Sequence, residues 1–161
     1  MLYAPMADLS VFLLVEDDAN DVVLICRAFA EAQVVNPIQV IRNGEEAMAY
    51  FMGMGPYKNR SEFPLPSMVL LDLKLPGMGG IEFLKWLRAQ PGFGRTRVVV
   101  LTSSNLTRDV NDAYQAGANS FLVKPVDFEN MVQIGSALKG YWVWMDKPPE
   151  TERPQNKPKE D

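Results

Sequence analysis

The sequence predicts an α/β domain, a doubly wound parallel sheet of five strands in the order 2-1-3-4-5 flanked by five helices. Short unbroken apolar runs recur along the chain, the mark of strands covered on both faces. Between them lie stretches with apolar residues at helical spacing, and such alternation gives right-handed crossovers because parallel neighbours need helices as connections. The runs also end in polar residues, and in an open sheet of this kind the carboxyl edge is where ligands bind. At 161 residues the chain suits one domain.

Leu9 to Val15 (LSVFLLV) reads as the first strand, stopping at Glu16, Asp17 and Asp18. Asn20 or Asp21 can cap a helix running to about Gln33, with Val22, Ile25, Phe29 and Ala32 along one face; Cys26 lies among them as a core residue. Pro37 to Arg42 is the second strand. Asn43 and Glu46 form a capping box for a helix carrying Ala47, Tyr50, Phe51 and Met54 on its apolar side. Gly53 to Ser67, rich in Gly, Pro and mixed charge, reads as an exposed loop.

Val69, Leu70 and Leu71 form a buried strand that delivers Asp72 into a turn, since Pro76, Gly77, Gly79 and Gly80 forbid its continuation. A helix from about Gly79 to Gln90 shows Ile81, Leu84 and Leu87 on one side, with Trp86 packing beside them. Arg97 to Thr102 (RVVVLT) is the fourth strand, and the helix after it carries Val110, Ala113 and Tyr114 and ends at Gly117. Ser120 to Val123 is the fifth strand, running into Lys124 and Pro125, and a last helix starts near Asp127. Residues 1–8 read as an N-terminal arm, 9–145 as the domain and 146–161 as a solvated polar tail without periodicity.

Composition excludes several function classes. The chain has no histidine, which removes histidine bases, histidine metal ligands and any self-contained phosphohistidine chemistry. A net charge of −4 argues against broad nucleic-acid affinity. No apolar run reaches the ~18 residues a membrane span needs, and Met1 to Ser10 lacks the basic start of a signal peptide, so the expected location is the cytoplasm.

Taken alone, Asp72 reads sooner as a turn or helix cap than as a site. Its company changes that. Strands one and three are neighbours at the switch point, so Glu16, Asp17 and Asp72 converge. Clustered carboxylates call for a cation, and an oxygen-only donor set selects a hard ion, Mg2+ fitting best. Thr102 and Lys124 arrive from strands four and five with a hydroxyl and an ammonium. A carboxylate nucleophile, a divalent cation and a lysine suit phosphoryl transfer to Asp72. A flavin-binding domain is disfavoured because EDDAND presents acids to an anion, and a phosphatase because Lys74 stands where a general acid belongs.

VEDD, VLLDLKLPGMGG, VVVLTSS and FLVKP, in this order, resemble the receiver domain of two-component response regulators. The resemblance implies a flavodoxin-like receiver fold and a phosphoacceptor signalling protein that assists only its own phosphorylation and dephosphorylation. It implies Asp72 as the phosphoacceptor, and Glu16, Asp17 and the backbone carbonyl of Lys74 as further Mg2+ ligands. It also implies Thr102 as the switch hydroxyl, Lys124 as the phosphoryl-binding lysine, Phe121 as the aromatic switch and a cis peptide before Pro125. The implied partner is a sensor histidine kinase. The long 53–67 loop and the last helix resemble stand-alone regulators that partner bacterial phytochrome kinases. The alternative function is a receiver-like scaffold that dimerises without phosphorylation.

Phe128, Met131, Gly135, Leu138 and Trp142 gather on one face of the last helix. Trp144 falls off that face, and Tyr141 and Val143 flank it on opposite edges. Exposed aromatics of this kind are favoured interface anchors, so a homodimer through Tyr141 and Trp144 is expected.

Overall fold

The structure is a computed structural model that describes the backbone of residues 10–144 and the side chains of residues 10–140. The expected arm at 1–8, the tail at 146–161 and the side chains of Tyr141, Trp142 and Trp144 lie outside the described residues.

Five strands, β1 (Phe12–Val15), β2 (Ile38–Ile41), β3 (Met68–Leu71), β4 (Arg97–Thr102) and β5 (Ser120–Val123), pair in parallel in the order β2-β1-β3-β4-β5. Five α-helices alternate with them: α1 (Ala19–Glu31), α2 (Gly44–Met52), α3 (Gly80–Arg88), α4 (Thr107–Ala116) and α5 (Phe128–Trp144). The expected architecture and strand order are those observed. β1, β3 and β4 are buried on both faces because their side chains alternate between two cores. Phe12, Leu14, Met68, Leu70, Val99 and Leu101 face α1 and α5, meeting Ile25, Phe29, Met131 and Leu138. Leu13, Val15, Val69, Leu71 and Val98 face α2 and α3, meeting Tyr50, Phe51, Phe83, Leu84 and Leu87. Each such side chain contributes about 1.5–3 kcal/mol by leaving water.

Where α5 crosses α1 the helices approach closely, so a Cβ on Gly135 would lie 3.1 Å from Phe29 Cδ1 and Ala32 Cβ. Met131, Gly135 and Leu138 are buried on the expected face, whereas Phe128 is exposed at its start. Asp127 Oδ1 accepts from Asn130 N at 2.8 Å and so opens the helix where expected.

Several local expectations need correction. The N-cap of α1 is Asp18, whose Oδ1 accepts from Asn20 N and Asp21 N, so neither Asn20 nor Asp21 is the cap. Met54 lies past the end of α2 and is exposed, because Gly53 turns the chain out of the helix at φ 64°. Tyr114 of α4 is exposed, its helix burying only Ala113 and Ala116. The 53–67 segment is exposed along much of its length, as expected, but part of it packs on α2. Tyr57 and Phe63 pack on Tyr50, whose hydroxyl donates to Pro64 O at 2.8 Å. Arg60 donates to Phe51 O and to Tyr50 O, the latter also accepting from Gly53 N, and so ties the segment to the end of α2.

Candidate functional site: an acid and lysine cluster at the carboxyl edge

Strand register builds the site. Val15 of β1 pairs with Leu71 of β3, so the next residues, Glu16 and Asp72, leave the sheet side by side. Backbone bonds hold them there, Asp72 N donating to Val15 O at 3.0 Å and Glu16 N to Ile41 O at 2.9 Å. On the other side Leu71 pairs with Val100, and β4 runs two residues further to the fully buried Thr102. Thr102 pairs with Val123, and Lys124 N donates to Thr102 O at 2.8 Å, which brings the lysine round to the same edge.

Asp72 is buried and fully engaged. Its Oδ1 accepts from Thr102 Oγ1 at 2.8 Å and Lys74 N at 3.1 Å, and its Oδ2 accepts from Lys124 Nζ at 2.9 Å. Burial alone would raise its pKa, but Lys124, Thr102 and the Lys74 N–H together hold the carboxyl below its ordinary value. Glu16 goes the other way. Burial, reinforced by the neighbouring Asp72 charge, pushes it up to about 7 although Lys124 and the Asp18 N–H favour its ionised form.

Lys124 Nζ touches three carboxylates: Glu16 Oε2, Asp72 Oδ2 at 2.9 Å and Asp21 Oδ2 at 2.9 Å. Burial disfavours its charge, but the three acids outweigh that and hold its pKa above the ordinary value. The Lys124–Pro125 bond is trans, since the described residues contain no cis peptide. The expected cis bond is therefore corrected. Trans is the commoner X-Pro form, and the ammonium reaches Asp72 without the isomer.

Carboxylate oxygens of Glu16, Asp17 and Asp72 all lie within 4.8 Å of one another. Glu16 and Asp72 are buried, Asp17 is exposed and opens the cluster to solvent. The donors are oxygen alone, the three acids outnumber the one ammonium between them, and burial weighs against the charge of Glu16 and Asp72. These residues fit a hard divalent cation.

Phe121, the expected aromatic switch, is half-buried on β5 opposite Val100. The Thr102 hydroxyl points to Asp72. Asp21 is the member that sequence reasoning missed, having been taken for a helix cap. Its signal was its place in the first turn after an acidic strand end, where a helix can return a carboxylate over that edge.

The family profile described as the response regulator receiver domain matches residues 12–135. The chain belongs to this family. The receiver is 36% identical over 139 residues to the probable methanogenesis regulatory protein FilR2 of Methanothrix harundinacea, covering 86% of this chain and 87% of that protein. It is 32% identical over 133 residues to the response regulator Rcp1 of Synechocystis, covering 83% and 88% of the two chains. The crystal structure of Mn2+-bound Rcp1 superposes with a TM-score of 0.76 at 31% identity, covering 87% of this receiver and 99% of Rcp1. The phosphorylated cyanobacterial phytochrome response regulator RcpA superposes with a TM-score of 0.78 at 32% identity, over 87% and 98% of the chains. No helix among the described residues is long and apolar enough to cross a membrane.

Proposed function

We propose that this receiver accepts a phosphoryl group on Asp72 from a phosphohistidine of a partner sensor histidine kinase, and signals through a conformational change or self-association. The observation that carries the reading is Asp72 itself: a buried carboxylate held ionised by Lys124, Thr102 and the Lys74 N–H, beside two further acids. A carboxylate oxygen of Asp72 attacks phosphorus, the new O–P bond forms as the P–N bond breaks, and the donor imidazole leaves with the electron pair. The donor is external because this chain has no histidine. Lys124 and Thr102 already stand against the attacking carboxylate, so little reorganisation is needed for them to meet the transferred oxygens.

Glu16, Asp17, Asp72 and, by family likeness, the Lys74 carbonyl would hold Mg2+, which when bound neutralises phosphoryl charge. The likeness to RcpA, a phytochrome response regulator, supports a phytochrome kinase as partner. Thr102 and Phe121 carry the switch in this reading, through the β4–β5 pairing that links Thr102 to the strand bearing Phe121. The aromatic end of α5, at Tyr141 and Trp144, supports a homodimer.

Incubation with candidate histidine kinases and labelled ATP tests the proposal. Label should appear on the wild type, be released by hydroxylamine as an acyl phosphate is, and be absent from Asp72→Asn. Label that persists on folded Asp72→Asn moves the acceptor elsewhere. Sedimentation of the wild type against Trp144→Ala tests the dimer; a monomer in both removes it.

A further inference from the structure

Two of the three acids that touch Lys124 Nζ, Glu16 and Asp72, also belong to the cluster that fits a divalent cation. An ammonium and a metal ion cannot share these oxygens without cost, since like charges a few ångströms apart repel strongly in a partly buried site. Lys124 is itself sunk into the protein, its side chain only 7% exposed. Losing Glu16 and Asp72 as partners would leave it a buried unpaired charge, a costly state.

Asp21 is the third partner and stands outside the three-acid cluster. Its backbone is fixed at the first turn of α1, where its N–H donates to Asp18 Oδ1 at 3.1 Å. Its carboxylate, 37% exposed, reaches Lys124 from the helix side of the site. A pair between exposed groups would contribute little, but here one partner is buried and its other two acids have a competing use.

We propose that Asp21 is a positioning residue, the counter-ion that keeps the Lys124 ammonium at the phosphoryl site while Glu16 and Asp72 turn their oxygens to a divalent cation. The inference rests on the reading of Glu16, Asp17 and Asp72 as that cation's ligands. Asp21 acts through Lys124 and not on the ion, which separates it from an acid that merely adds negative charge. It also separates it from a strut between α1 and β5, because a strut would affect stability and leave ion affinity unchanged.

Calorimetric titration of Mg2+ into the full chain decides the matter, with thermal melts of the ion-free proteins run beside it. Asp21→Asn should weaken Mg2+ binding about tenfold, the scale of losing a group that orients a ligand, and Asp21→Glu should recover most of it. Lys124→Ala should tighten binding. In the Lys124→Ala background, Asp21→Asn should change affinity by no more than about twofold, because the residue it acts through is gone. Should Asp21→Asn not fold, Asp21→Ser takes its place in the same comparison. An equal loss in both backgrounds would overturn the proposal by showing that Asp21 acts on the ion directly. Unchanged affinity in the single variant would overturn it while the cation site stands. A wild type that takes up no Mg2+ removes the cation site and this role together.

Discussion

Gly80 lies so close to Asp72 that a Cβ added to it would fall 2.3 Å from the Asp72 carbonyl oxygen and 2.8 Å from Leu73 Cα. Both obstacles are backbone, so neither can swing aside. Gly80→Ala should therefore destabilise the fold by about 3 kcal/mol, the upper range for overpacking. Because the strain falls on the main chain of Asp72, phosphorylation should slow in the protein that remains folded. Urea denaturation and acyl-phosphate formation rates check the two effects separately.

The buried Thr102 hydroxyl makes the second case. Thr102→Val keeps the shape but removes the donor to Asp72 Oδ1. A hydrogen bond to a charged acceptor is worth about 1.5–3 kcal/mol, so the variant should lose stability of that order, and Thr102→Ser should lose less. Chemical denaturation of the three proteins at neutral pH reads the difference. Equal midpoints would show that the bond contributes nothing.

Arg88, at the end of α3, donates to the carbonyls of Gly94, Thr96 and Gly117 and to Asn119 Oδ1. Its planar fork ties the α3–β4 and α4–β5 connections together, and a lysine cannot reproduce that geometry. Arg88→Ala should cost about 3 kcal/mol through several half-buried carbonyls left without donors, and Arg88→Lys should restore only part. Since Asp72 lies at the other edge of the sheet, phosphorylation below the melting temperature should change little.

Alkaline pH should weaken the fold. Burial raises the Cys26 thiol above its usual 9.0 and the Tyr50 phenol above 10.0. Each group binds its proton more tightly when folded, so its contribution is fully present below the unfolded pKa and is lost as pH rises through the higher folded value. These two groups leave stability unchanged near neutrality and lower it on moving above about pH 9. Thermal melts across that range check the limb. Tyrosinate absorbance should show a group that ionises only as the protein unfolds, and Cys26 should react with iodoacetamide more slowly than a free thiol at the same pH.

The strands were legible because a parallel sheet buried on both faces writes itself as continuous apolar runs such as Val98 to Leu101. The cluster was legible for a related reason, as Glu16, Asp72, Thr102 and Lys124 each sit at or just past a strand end and pairing brings such ends level. Partnerships across the fold were harder to read. Asp18 and Asp21 both sit where a helix opens, and local pattern does not say which one caps and which one reaches Lys124. Gly53 to Ser67 has loop composition, yet Tyr57, Phe63 and Arg60 pin it to α2, through contacts that only the folded arrangement brings together. Phe83 escaped the reading of α3 although it is wholly buried.

Strand direction has one more consequence. With all five strands parallel, the reactive groups occupy one edge, and the α3–β4 connection falls at the other. Within it, Pro91 and Gly92 are exposed, and a Cβ on Gly92 would meet nothing within 4 Å. A fluorescent reporter domain spliced between them would hang from the amino edge with its linkers in solvent. The chain thus offers an attachment point for an optical sensor, at the opposite edge of the sheet from Asp72.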